Sequence, residues 1–237
     1  GSEMCIRDSI CLVEGLKGST VCFMDIDKER LDAVYSLSRR HAEETRADLK
    51  FEKTFERKAA LQDADFVINT AARGHGDEEK EREVGEKNGY YRGVQIGNYF
   101  HQLSLMLSVA KDVEDICPDA WLIQASNPVF DGCTLITRET KIKVIGICHG
   151  HYGAYQIARV IGISPHDITF QAPGVNHCIW MTHFLYHGED AYRLLDEWIE
   201  TKAEDYWRTW DGSPTDVQMS PASVSLYKMF GLFPVGD

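Results

Sequence analysis

The sequence predicts an α/β protein: a Rossmann-like, doubly wound, mostly parallel sheet, followed by the start of a second α+β catalytic domain. Two observations carry this expectation. Short apolar runs alternate with amphipathic stretches between residues 19 and 161. That is the pattern of βαβ units whose parallel sheet is covered on both faces. The apolar runs also stop abruptly at polar or small-residue turns, as strands do at the ligand-bearing edge of such a sheet.

Composition agrees with this class. Of 237 residues, 43% are hydrophobic and 26% are charged, enough to bury a sizeable core. Lys and Arg total 25 against 37 Asp and Glu, a net charge of −12. Nucleic acid and anionic membrane surfaces would repel such a chain, so neither is an expected partner. No apolar run reaches the roughly 18–20 residues of a membrane span, and the N-terminus has no basic-then-apolar signal. The seven cysteines, at 5, 11, 22, 117, 133, 148 and 178, include no CxxC pair. Free thiols in a reducing, cytoplasmic setting are the expectation.

The elements follow in order. Residues 1–9 (GSEMCIRDS) have no apolar periodicity and read as a non-native or disordered leader. Ser19–Met24 is a β-branched, apolar strand ending at Asp25. Asp27 is a good N-cap for a helix from Lys28 to about Glu44, with Leu31, Val34, Tyr35 and Leu37 near one face. Asp65–Thr70 is a second strand, stopping at Ala71-Ala72-Arg73-Gly74, and residues 76–92 are a charge-dense, solvated stretch. Tyr99, Leu103, Met106, Val109, Val113 and Ile116 mark one face of a helix that Pro118 ends.

Ala120–Ala125 and Lys143–Ile147 are the next strands, stopping at Ser126-Asn127-Pro128 and Cys148-His149-Gly150. A helix at about Tyr152–Ile161 follows. Asp167–Gln171 and Ile179–Tyr186 read as further strands, and Ala191–Arg208 as one aromatic-rich helix. The expected domains are a Rossmann-like unit over 10–165 and a partial substrate domain over 166–237.

In a doubly wound sheet, ligands bind outside the carboxyl ends of the strands. That rule selects Asp25, Asn69-Thr70, Asn127 and Cys148-His149. A carboxylate placed like Asp25 accepts hydrogen bonds from the adenosine ribose and repels a 2′-phosphate, favouring NAD over NADP. It could equally help to cap the helix that follows. The stretch Cys11–Ser19 contains Gly15 and Gly18 but no GxGxxG.

Cys148 and His177 are metal candidates, a thiolate and an imidazole suited to a divalent ion. The competing reading of Cys148 is a small buried hydrophobe. His149 and His151 flank Gly150 and could contact a sugar or move a proton, or merely start a helix. Asn127-Pro128 could be an ordinary turn. Trp180, Trp198, Trp207 and Trp210 could form a sugar platform, but core packing is the better reading. Asp196, Glu197 and Glu200 look like a solvated helical face rather than a glycosidase carboxylate pair.

Seven motifs then occur in one order: MDID (Met24–Asp27), DADFVINTA (Asp63–Ala71), GYYRG (Gly89–Gly93), QASNPVF (Gln124–Phe130), GICHGHYG (Gly146–Gly153), GVNH (Gly174–His177) and FGLFPVGD (Phe230–Asp237). Over residues 10–237 this set closely resembles glycoside hydrolase family 4, in particular its α-glucosidase-like branch with CHGH. The family is an exception to the two-carboxylate rule. The resemblance implies bound NAD, which takes hydride from C3 of the sugar. It implies a base that removes the C2 proton while a divalent metal, typically manganese (Mn2+), stabilises the enediolate. The aglycone leaves from C1, water adds, and the C3 alcohol is restored.

By the same resemblance, Cys148 and His177 are the metal ligands. Asp25, Asn69 and Thr70 lie along the NAD site, and Asn127, His149 and Asn176 lie near the sugar. The family's opening strand, its Gly-rich loop and the portion carrying the C2 base are not found in this sequence, and the stretch after Gly93 looks shortened. The chain is therefore expected to be truncated at both ends, and no catalytic residue is assigned. A small α-glycoside or oligosaccharide is the expected substrate, with a homo-oligomer at full length. The alternatives are an α-glucuronidase, α-galacturonidase or α-galactosidase of the same family, a lactate/malate-type dehydrogenase, and a non-catalytic binding remnant.

Overall fold

The computed structural model describes residues 10–72, 78–89, 96–147, 150, 152–175, 178–209 and 219–235. The chain divides into two compact units, Gly1–Ile147 and Cys148–Asp237.

The first unit is built from parallel strands. β1 (Thr20–Met24) pairs with β2 (Lys50–Thr54), and the helix α1 (Lys28–Thr45) connects them. Asp27 caps α1 by accepting the Arg30 N–H at 3.0 Å, as its sequence position predicts. Leu31, Ser38 and Ala42 form the buried stripe, while Leu37 lies outside it. A serine occupies this stripe because its hydroxyl donates to the Val34 carbonyl at 2.8 Å. β2 is an element that hydrophobicity alone misses. Its sequence, KFEKT, carries three charges on five residues, and the short helix α2 (Arg57–Ala60) follows it.

A second sheet has the order β3-β4-β5, from β3 (Phe66–Asn69), β4 (Trp121–Gln124) and β5 (Lys143–Gly146). All of its pairs are parallel, with Asn69, Gln124 and Gly146 in register at the carboxyl ends. Between β3 and β4 run α3 (Glu78–Lys87) and the long α4 (Ile96–Ile116). Between β4 and β5 runs α5 (Val129–Glu139), which buries Val129, Gly132 and Ile136.

Met106, Val109 and Val113 of α4 are buried with Leu61, Leu122 and Ile136, and Val67 and Val144 pack at the margin. This is one face of the sheet. On the opposite face Phe66 and Ile68 are 62% and 39% exposed in this chain. Trp121 and Ile145 on that face are exposed too. Arg57 ties α2 to α4, donating to Asp112 at 2.7 Å and to Ser108 at 2.9 Å.

Gly132 of α5 packs against Met106 of α4. A β-carbon there would sit 2.5 Å from the sulfur of the fully buried Met106. Gly132→Ala is expected to destabilise the first unit by about 1–3 kcal/mol through overpacking, read as a lower midpoint in urea unfolding.

The second unit opens with α6 (Tyr152–Ile161) and two antiparallel sheets. β6 (Ile168–Gln171), β9 (His183–Tyr186) and β10 (Glu189–Asp190) form one, in the order β10-β9-β6. β7 (Gly174–Val175), β8 (Cys178–Met181) and β11 (Phe233–Val235) form the other, in the order β11-β8-β7. The single strand expected over Ile179–Tyr186 is thus two strands in different sheets, broken at Thr182. There the Thr182 N–H donates to the Gln171 carbonyl at 2.8 Å. The single helix expected over Ala191–Arg208 is likewise two, α7 (Tyr192–Thr201) and α8 (Ala203–Thr209). Lys202 stands at the break, with φ −129°. α9 (Pro221–Phe230) starts from the Ser220 cap and ends at Gly231, whose φ of 72° suits glycine.

The core of this unit gathers Ile157, Met181, Phe184, Leu195, Trp198, Met219 and Phe233. Trp198 belongs to that core and meets Tyr206 edge-on, with ring centroids 5.3 Å apart. Trp180 meets Phe230 edge-on, and the Trp207 indole N–H donates to the Met219 carbonyl at 2.7 Å. Packing, not a sugar platform, is what these three indoles do; Trp210 lies outside the described residues. Asp196 accepts the Tyr227 hydroxyl at 2.7 Å. Glu197 and Glu200 are exposed, as expected of a solvated helical face.

Candidate functional site

Asp25 directly follows β1 and is partly buried. Its Oδ1 accepts the Asp27 N–H at 2.9 Å, which closes the turn into α1. The capping role belongs to Asp27, so the two acids divide their duties. Asp25 Oδ2 lies 3.9 Å from the Arg30 guanidinium, a weak, solvent-screened pair. One carboxylate oxygen therefore shapes the turn, and the other stands at the carboxyl edge of a parallel strand.

Asn69 ends β3 and is 5% exposed. Its side chain faces the protein: Nδ2 donates to Gln124 Oε1 at 2.9 Å, and Oδ1 accepts the Ala71 N–H at 3.2 Å. Thr70, the next residue, is half-buried. Asn127 follows β4 and is exposed, between the buried Ser126 and the buried Pro128. Asp25, Thr70 and Asn127 thus follow parallel strands at their carboxyl ends, where a doubly wound sheet binds ligands.

Cys148, His149, His151, Asn176 and His177 lie outside the described residues. In sequence, His149 and Cys148 follow β5, and Asn176-His177 stand between β7 and β8. Gly174 opens β7. Its φ is 150°, and a β-carbon there would overlap the Cys178 carbonyl and lie 2.7 Å from Ile179 Cα. Only glycine lets the two backbones approach this closely. Among the described residues, no group of three or more His, Cys, Asp or Glu is arranged to hold a metal ion.

Three other cysteines are poor ligands. Burial pushes the thiols of Cys22, Cys117 and Cys133 above the ordinary cysteine range. That disfavours the thiolate a metal or an electrophile needs. Cys178 is an exposed free thiol.

One group of polar residues had escaped sequence reasoning. Gln102 on α4 and Gln124 at the end of β4 are 7% and 0% exposed. They join Asn69 and Ser126 in a buried hydrogen-bonded cluster behind Thr70 and Asn127. The available signal was a glutamine closing the apolar run of Trp121–Ile123.

Comparison with known proteins agrees with the motif order. Residues 2–163 match family 4 glycosyl hydrolase, and residues 172–236 match the family 4 glycosyl hydrolase C-terminal domain. The chain belongs to glycosyl hydrolase family 4. It is 29% identical over 211 residues to an alpha-galactosidase of Bacillus subtilis, covering 83% of this chain and 49% of that protein. It is 27% identical over 196 residues to a 6-phospho-beta-glucosidase of Escherichia coli, covering 75% of this chain and 42% of that protein.

Among solved structures, it superposes on a 6-phospho-alpha-glucosidase from gut microorganisms in complex with NAD and Mn2+. The TM-score is 0.71 at 20% identity, covering 97% of this chain and 55% of that one. The chain spans about half the length of the curated relatives it matches. Its fold is Rossmann-like α/β, followed by a C-terminal domain. Among the described residues, no helix is long and apolar enough to cross a membrane.

Asp25 gives a first test of the site. Asparagine there keeps an oxygen for the Asp27 N–H, so the turn into α1 survives. It removes a charge that would repel a 2′-phosphate and frees Arg30 from its pair. Were Asp25 to hold the adenosine ribose of a dinucleotide, Asp25→Asn would narrow a preference for NAD over NADP about tenfold, with little change in melting temperature. Parallel calorimetric titrations of the two dinucleotides measure it.

Proposed function

We propose that this chain is the dinucleotide-binding part, with some of the substrate-binding part, of an NAD- and divalent-metal-dependent α-glycosidase. The observation that carries this reading is the set of polar residues at the strand ends, in a chain of this family. Asp25, Thr70 and Asn127 follow parallel strands, and the thiol and imidazole of Cys148-His149 follow β5 in sequence.

The residues present fit a dinucleotide. Asp25 leaves one carboxylate oxygen outside its turn, as an acceptor for ribose hydroxyls requires. A thiolate at Cys148 and an imidazole at His177 form a donor pair suited to Mn2+ or another divalent ion, with positions left for water and sugar. When bound, NAD⁺ supplies a hydride acceptor for the sugar's C3, and the metal supplies a Lewis acid for the neighbouring oxygens.

The chain's own residues then bind and orient. Asp25 holds the adenosine ribose, and Asn69 and Thr70 border the dinucleotide. Asn127, His149 and Asn176 hold sugar hydroxyls, while Cys148 and His177 hold the metal. Removal of the C2 proton is assigned to no residue of this chain. CHGH favours a glucose-like or uronic-acid α-glycoside. The same reading places the protein in the cytoplasm and, at full length, in a homo-oligomer. Family membership weighs against the lactate/malate-type dehydrogenase.

The test starts with protein stripped of dinucleotide and metal, supplied with p-nitrophenyl α-glucoside and a thiol reductant. Nitrophenol release that needs both NAD⁺ and Mn2+ supports the proposal, and turnover without either one overturns it. The α-galactoside and α-galacturonide, run in parallel, rank the sugars.

A further inference from the structure

The buried amides behind the strand ends pose an energetic question. Gln124 closes the central strand of its sheet and is fully buried. Burying an amide costs free energy unless its hydrogen bonds are replaced, and an aliphatic residue would fill the position without that cost. Here the bonds are made. Oε1 accepts from Asn69 Nδ2 at 2.9 Å, and Nε2 donates to the Ser126 carbonyl at 2.9 Å and to its hydroxyl at 2.6 Å. From α4, Gln102 Nε2 donates to the Ala71 carbonyl at 2.8 Å and lies 3.4 Å from the Ser126 hydroxyl. The backbone adds Ala125 and Ser126 N–H groups donating to the Asn69 carbonyl at 3.0 and 3.1 Å.

Each bond ends on a residue next to a candidate ligand-binding position. Thr70 stands between Asn69 and Ala71, both held. Asn127 follows Ser126, which is held from both glutamines. The exposed tips are mounted on a buried base, and a satisfied polar network fixes orientation in a way that apolar packing does not.

We propose that Gln102 and Gln124 are positioning residues, which lock the loop after β3 in the conformation that binds the dinucleotide and tie to it the loop after β4, which carries Asn127. This rests on the NAD reading above. The two glutamines act on the ligand only through the loops they hold, so their loss weakens binding even where the fold survives.

Gln102→Met keeps the side chain's length and removes its donor. Ser126→Ala removes the hydroxyl at the centre of the cluster, a milder change. Thr140→Val is the control: Thr140 is also buried in the first unit, and its hydroxyl donates only locally, to the Ile136 carbonyl at 2.8 Å. NAD⁺ affinity is measured by calorimetry below every variant's unfolding transition, alongside amide exchange of peptides covering 69–72 and 125–127.

The expected result is affinity weakened about tenfold in Gln102→Met and by a smaller factor in Ser126→Ala, with faster exchange in both peptides. Thr140→Val should keep the parent's affinity even with a lowered melting temperature. Unchanged affinity in both cluster variants overturns the proposal, and so does an equal loss in the control. A parent chain that binds no NAD⁺ overturns the dinucleotide reading, and this inference with it.

Discussion

Cys148→Ser is expected to cut Mn2+ affinity, and with it any metal-dependent α-glycoside cleavage, by about 100-fold or more. NAD⁺ binding should stay near the parent's. The reason lies in the donor atom: a thiol coordinated by a divalent ion gives up its proton and binds as a thiolate, whereas a serine hydroxyl keeps its proton at neutral pH. The burial-raised thiols of Cys22, Cys117 and Cys133 are poor substitutes. Electron paramagnetic resonance of free Mn2+ reads the affinity directly, without requiring turnover. A serine variant that retains the parent's Mn2+ affinity would remove Cys148 from the site.

Gly174→Ala is expected to have the larger structural effect. The added methyl has no route of relaxation: it meets the Cys178 carbonyl and Ile179 Cα, both backbone, and the φ of 150° is closed to alanine. The β7–β8 pairing in which Gly174 faces Ile179 must open. A cost above about 3 kcal/mol follows from strain and lost pairing together. Asn176 and His177 lie between these two strands in sequence, so Mn2+ affinity should fall along with the second unit's unfolding midpoint. Wild-type Mn2+ affinity in a folded Gly174→Ala chain would separate the hairpin from the metal site.

The fold was legible wherever one element's physics is local. The six apolar positions read on α4 include Met106, Val109 and Val113, all buried. Asp27 caps α1 from a position the sequence marks. Errors fell where a tertiary partner overrides the local pattern. The run Ile179–Tyr186 is apolar but for Thr182 and His183, and it is the pairing of Ile179 with Gly174 and of Met181 with Phe233 on one side, and of Phe184 with Phe170 and of Leu185 with Asp190 on the other, that makes it two strands. β2 escaped because its charged residues hide a strand whose stability comes from β1 beside it.

By itself, the sequence determined the strand ends and their chemistry: an acid after β1, an amide closing β3 with a threonine after it, an amide after β4, a thiol and an imidazole after β5. Strand termination is a short-range event, set by turn residues and the end of an apolar run, so it can be read from the chain alone. The tertiary structure decided how those ends are held. Asn69 and Gln124 are 55 residues apart, and nothing in either local sequence says that one amide meets the other. The structure also decided that Gln102 reaches in from α4, and that Phe66 and Ile68 stay exposed on the sheet's other face. A buried hydrogen bond depends on which donors and acceptors the fold brings within about 3 Å, and that is set by long-range packing.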